Sequence, residues 1–184
     1  MSNLTPKQLS YESYMETAYQ ELVKDFEKDT NPFSLPKITK ISVNIGVGRL
    51  ENKDKQEVFN MLMKLVNQKP RMQKSKVSIA SFKLKKNDIV GVSATLRGKK
   101  MYDFLLNLIY LALPRTRDFK GIKESAFNSE FSCYSLGLES AAIFPTVGFD
   151  SAINFGMQIN IVFKDSNQEN KKLLLRLGFP FKKD

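Results

Sequence analysis

Every second residue from Ile153 to Phe163 is large and apolar: Ile153, Phe155, Met157, Ile159, Ile161 and Phe163. Asn154, Gly156, Gln158 and Asn160 stand between them. A period of two sends alternate side chains to opposite faces of a strand, and no helix gathers them on one side. The chain must therefore build a sheet with one covered and one open face. Two further segments carry the same pattern. In Lys37–Ile45, Ile41, Val43 and Ile45 point one way and Lys40, Ser42 and Asn44 the other. In Ile89–Arg97, Val90, Val92, Ala94 and Leu96 face inward, while Ser93, Thr95 and Arg97 face out. Cys133–Leu138 supplies a short fourth strand.

Helical spacing fills the intervals. Residues 10–27 read as an amphipathic helix, with Met15, Ala18, Tyr19, Leu22, Val23 and Phe26 on one side and Ser10 as N-cap. Residues 52–67 do the same with Val58, Met61, Leu62, Leu65 and Val66. Met101–Leu113 forms a third helix stopped by Pro114, and about Asn167–Leu177 a last one ending at Gly178. Asn31-Pro32 and Leu35-Pro36 mark a loop. Between the Asn67-Gln68-Lys69-Pro70 stop and Ile89, periodicity is weak, which predicts a long basic hairpin loop with a mobile tip. The expected fold class is α+β: an antiparallel β-sheet with helices packed on one face. The expected organisation is a single domain over 1–184, with an N-terminal helix and linker in 1–34 and a sheet–helix body in 35–184.

Composition narrows the chemistry. The chain has no histidine and one cysteine, Cys133, which removes the commonest general base and metal ligand and leaves no thiolate cage. Gly46-Val47-Gly48 follows a strand, but Glu51 stands where a dinucleotide fingerprint needs its third glycine. No catalytic constellation, metal set or cofactor is expected. The most apolar stretch, Met101–Leu113, falls well short of the roughly twenty residues of a membrane span. A soluble, intracellular protein is expected, with no membrane partner.

The formal charge of +10 is unevenly placed. Residues 37–100 hold 16 basic and 4 acidic side chains, residues 1–36 are net −3, and residues 101–184 are net +1. Lys69, Arg71, Lys74, Lys76, Lys83, Lys85 and Lys86 lie together with no acid among them. Surfaces selected only for solubility mix both signs, so this third points to a polyanion. The open sheet face agrees: amides and hydroxyls meet base edges and 2′-hydroxyls, and Lys and Arg neutralise phosphates. It lacks outward aromatic residues on Lys37–Ile45 and Ile89–Arg97, which favours folded RNA over stacked single strands.

Several blocks resemble one family. These are Ile41-Ser42-Val43-Asn44-Ile45-Gly46-Val47-Gly48, Asn67-Gln68-Lys69-Pro70, the basic segment ending Ser81-Phe82-Lys83, and Thr95-Leu96-Arg97-Gly98. Leu113-Pro114-Arg115-Thr116-Arg117-Asp118-Phe119-Lys120-Gly121, Ile143-Phe144-Pro145 and Gly178-Phe179-Pro180-Phe181 follow in order. Together they resemble the bacterial-type large-subunit ribosomal protein family five, the 5S rRNA-binding ribosomal protein. The resemblance implies that Asn44, Gln68, Thr95 and Arg97 lie at a 5S rRNA contact. With their neighbours the candidate site is Lys40, Ser42, Asn44, Gln68, Lys69, Ser93, Thr95 and Arg97. It implies a loop reaching P-site tRNA, here Lys74, Lys76, Ser78, Ser81, Phe82 and Lys83. It implies ribosomal or intersubunit contacts at Arg115, Arg117 and Lys120. The partners it implies are 5S rRNA, P-site tRNA, 23S-type rRNA and proteins of the central protuberance, and the small-subunit head. Localisation would be cytoplasmic or organellar, within a ribosome. A free RNA-binding regulator or chaperone would use the same basic surface.

Overall fold

The computed structural model describes residues 35–82, 84–117, 119–145 and 155–182. The helix expected over residues 10–27, and Lys83, Asp118, Ile153 and Asn154, lie outside the described residues. Five strands form one sheet: β1 (Ile38–Gly46), β2 (Arg71–Lys74), β3 (Ile89–Leu96), β4 (Cys133–Leu138) and β5 (Met157–Phe163). Their order is β2-β3-β1-β5-β4, and every neighbouring pair is antiparallel. The fold class is α+β, as the alternation predicts.

β1 sits at the centre because both of its edges find partners. Ile41, Val43 and Ile45 are completely buried, as are Val92 and Leu96 of β3 and Ile159 and Ile161 of β5. The helices cover this apolar face. α1 (Asn52–Val66) buries Val58, Leu62, Leu65 and Val66, and α2 (Gly98–Asn107) buries Met101, Tyr102, Phe104 and Leu105. α3 (Glu169–Arg176) adds Leu173 and Leu174.

The element ends differ from the pattern in instructive ways. α2 starts at Gly98, three residues before the apolar run, because Gly98 takes φ +56° directly after the extended Arg97 and turns the chain from strand to helix. The helix then widens over Leu108–Ala112 into a π turn, and Pro114 falls within the closing 3-10 turn Leu113–Arg115. That widening buries Leu108, Ile109, Ala112 and Leu113 together. β5 begins only at Met157. Just before it, the Phe155 carbonyl accepts from the Ala141 N–H at 3.0 Å. Regular pairing of β2 with β3 stops at Lys74 and Ile89, with a register shift at Gln73/Lys74. Beyond it the chain is a locally bonded loop: the Ser75 N–H donates to the Asp88 carbonyl at 2.8 Å, and an isolated bridge joins Ile79 to Leu84.

Behind β4 and β5 lies an aromatic cluster. Tyr134 packs edge-on against Phe127, Phe179 and Phe181 with ring centroids 4.7, 5.4 and 5.8 Å away. Its hydroxyl donates to the Lys123 carbonyl at 3.0 Å. Burial, reinforced by the Glu124 carboxylate, holds this phenol above its ordinary range, so it stays a neutral donor. Asn170 is fully buried, and its Nδ2 donates to the carbonyls of Phe131 and Asp165 at 2.8 and 2.7 Å. It thereby ties the start of α3 to the loop before β4, where Phe131 takes φ +54°. Asn170→Ala would leave both carbonyls without that donor. It is expected to lower unfolding stability by about 1–3 kcal/mol in urea titration; an unchanged midpoint would show that the amide is dispensable.

Candidate nucleic-acid interface

The strand register sets the open-face residues in rows. One row crosses all five strands as Arg71, Ser93, Asn44, Gln158 and Gly137. The next is Thr95, Ser42, Asn160 and Ser135, and a third is Lys40, Val162 and Cys133. Arg97 follows β3 in the same outward phase and is exposed. The middle of the face is thus uncharged and rich in hydrogen-bonding groups, while Lys40, Arg97 and Arg71 stand at its margins.

Some of these groups are already engaged. Gln73 Nε2 donates to Ser93 Oγ at 2.6 Å, and Gln158 Nε2 makes a long 3.4 Å contact with Asn160 Oδ1. Gln68 Nε2 donates to the Thr95 carbonyl at 3.2 Å. Because β2 begins only opposite Ser93, the Gln68 side chain stands in for a missing strand and extends the sheet edge by one hydrogen bond. The turn that delivers it is made by Asn67, which caps α1 in the left-handed region at φ 48°.

The structure therefore brings together Lys40, Ser42, Asn44, Ser93 and Thr95, with Gln68 at the edge, Lys69 exposed beside it and Arg97 at the end of β3. It also brings in Arg71, which the sequence places only in the basic cluster, and Gln73 and Ser135, which sequence reasoning missed. Arg71–Lys74 carries only Met72 as an apolar marker, too little for a strand signal, so its outward residues had no face to belong to. The described ion pairs are Lys164–Asp165, Lys171–Glu124 and Lys172–Glu169, so no cation of residues 37–100 is paired among the described residues.

Lys74 at the end of β2, with Lys76, Ser78, Ser81 and Phe82 on the loop beyond it, forms a second group. Ser78 Oγ donates to the Leu84 carbonyl at 3.1 Å, which makes it a brace of the loop. Asp88, the loop's one acid, accepts from the Lys85 N–H at 2.8 Å. Apolar Val77 and Phe82 project there with 64% and 72% exposure. Arg115 and Arg117 form a third group at the opposite side of the sheet, lining an open depression of about 680 Å³ with Gly137, Leu138 and Glu139. Lys120 is exposed nearby in sequence. Gly137 belongs both to the five-strand row and to this depression, so the first and third groups adjoin at the β4 edge.

Surface contact with a polyanion is the chemistry that such a face and loop offer. Residues 31–85 match the family described as ribosomal protein L5, and residues 89–181 match the C-terminal part of the same ribosomal family. A large ribosomal subunit protein uL5c of Cyanidium caldarium is 46% identical over 168 residues, 88% of this chain and 91% of the relative. A uL5c of Oedogonium cardiacum is 42% identical over 180 residues, 96% of this chain and 99% of the relative. A large ribosomal subunit protein uL5 of Mycoplasma mycoides is 41% identical over 179 residues, 93% of this chain and 99% of the relative. The chain belongs to the ribosomal protein L5 family.

Phe82 makes so little contact with the body that the fold has no use for it. Phe82→Ser is expected to shift unfolding free energy by less than about 0.5 kcal/mol in chemical denaturation; a larger loss would mean the ring packs on the body.

Proposed function

We propose that the open sheet face binds 5S rRNA and that the basic loop contacts P-site tRNA, the whole chain acting as one RNA-binding domain. As a member of its family the chain is a structural, non-enzymatic constituent of the large ribosomal subunit, working in translation. The observation that carries the 5S reading is the aligned, uncharged row of Ser93, Asn44 and Gln158, flanked by cations without protein counter-charges among the described residues. Folded RNA presents both a polyanionic backbone and hydroxyl and base-edge groups, and this face answers each. Lys40, Arg97 and Lys69 would take phosphates; Asn44, Ser42, Ser93 and Thr95 would take sugar and base edges; Gln68 would hold the edge of the site in register. On the loop, Lys74, Lys76 and Lys83 supply charge, and Ser81 and Phe82 a contact surface, for a second RNA. Arg115, Arg117 and Lys120 would face neighbouring ribosomal components, including the small-subunit head.

Binding to a 5S transcript should weaken steeply with salt. Asn44→Ala with Arg97→Ala should lower affinity by roughly thirtyfold or more and reduce the salt slope by about one. Filter binding across a salt series measures both, and an unchanged affinity would remove the sheet face from the 5S site. Lys74→Glu with Lys76→Glu should preserve 5S binding while impairing tRNA-dependent translation in reconstituted subunits. Equal loss of both activities would place the loop inside the 5S site. A free regulator or chaperone, by contrast, would sediment apart from large subunits after moderate salt washing.

A further inference from the structure

Two glycines on the open face have no reason for being glycine within the fold. Gly46 closes β1 and Gly137 lies in β4, and neither takes a positive φ. A Cβ built at either position meets no atom within 4 Å. Glycine in a strand weakens it, since the chain loses more freedom and contributes no side chain. The other strand-region glycines are different. At Gly91 a Cβ would stand 3.3 Å from the Ile45 carbonyl oxygen, and at Gly156 it would stand 3.0 Å from that of Leu138. Those two are explained by internal crowding. Gly46 and Gly137 are not.

Both belong to the same outward phase as Asn44 and Ser135. Gly137 pairs with Gln158, and Gln158 pairs with Asn44, two residues before Gly46. The two bare positions therefore lie on a diagonal across β5, roughly 12 Å apart from the strand spacing and the rise per residue. A glycine in a strand often marks a bulge, a bend or the close approach of a ligand or another backbone, and the ladders show no register shift at Gly46 or Gly137. We propose that the sugar–phosphate backbone of the bound RNA crosses the sheet over Gly46 and Gly137, approaching the peptide planes more closely than any side chain would permit. This rests on the 5S reading above and deepens it, by assigning the backbone a path across the face. In that arrangement Asn44 and Gln158, which flank the path, select the groups beside it.

The test is steric, with charge held constant. Gly46→Val and Gly137→Val are made singly in the full chain, with Gly46→Ala and Gly137→Ala as milder partners. Thermal unfolding and 5S-transcript binding over a salt series are measured for each. The valine variants should fold with an unchanged or raised midpoint and bind about tenfold more weakly. Their salt slope should match the unsubstituted chain, because no cation has been removed. Unchanged affinity in stably folded variants would overturn the proposal. So would unfolding of the alanine variants, since the glycines would then serve the fold. Failure of the unsubstituted chain to bind the transcript is a separate result, and it would strike the 5S reading itself.

Discussion

The burial of Ile41, Val43 and Ile45 in the central strand is the constraint on which the rest of the molecule depends. These side chains are completely buried, and β1 pairs on both sides, with β3 and with β5. A slip of one residue would drive Ser42 and Asn44 into the core and expose three aliphatic side chains. It would also break two ladders at once. The hydrophobic pattern therefore locks the register, and the register alone puts Asn44 between Ser93 and Gln158. The polar rows on the open face are a consequence of the apolar packing beneath them.

Their charge distribution has its own physical logic. A cation at the centre of the face would lose its hydration on contact with RNA and would regain it only with a well-placed phosphate. Amides and hydroxyls are cheaper to desolvate and carry more directional information. In the proposed complex the long-range attraction would come instead from Lys40, Arg97, Arg71 and the loop lysines at the periphery, whose field reaches about a Debye length of 8 Å in physiological salt. Such a division lets charge govern encounter while neutral groups govern fit.

How much of this the sequence discloses depends on the range of the interaction. Alternation is local, so β1, β3 and β4 and the inward and outward assignments of Lys40, Ser42, Asn44, Ser93 and Thr95 are legible directly. Features that join distant segments are not. Nothing near Asn170 announces that its amide will reach the Phe131 carbonyl, thirty-nine residues earlier. The bond from Gln68 to the Thr95 carbonyl depends on where β2 happens to begin, and Arg71–Lys74 is too short and too polar to reveal it. The start of α2 at Gly98 follows from a backbone angle that apolar spacing does not encode. Lys-rich loop residues signalled their charge, but the exposure of Val77 and Phe82 emerged only once no core surface lay within reach of them.

Face and loop are not mechanically independent, because β2 belongs to both. Its hold on β3 combines backbone pairing over Arg71–Gln73 with the 2.6 Å bond from Gln73 Nε2 to Ser93 Oγ, after which the register shifts at Lys74. Ser93 Oγ is also the hydroxyl that stands beside Asn44 in the central row. A hydroxyl donates once but accepts twice, so a ligand that accepts the Ser93 proton leaves the Gln73 bond intact. A ligand that donates to Ser93 meets the oxygen's second lone pair, so it too can bind without displacing Gln73. The phosphate oxygens of RNA are acceptors only, whereas a 2′-hydroxyl is both donor and acceptor. The central row and the base of the loop are thus joined through a single oxygen atom, and either kind of contact to Ser93 can form while Gln73 still holds β2 to β3.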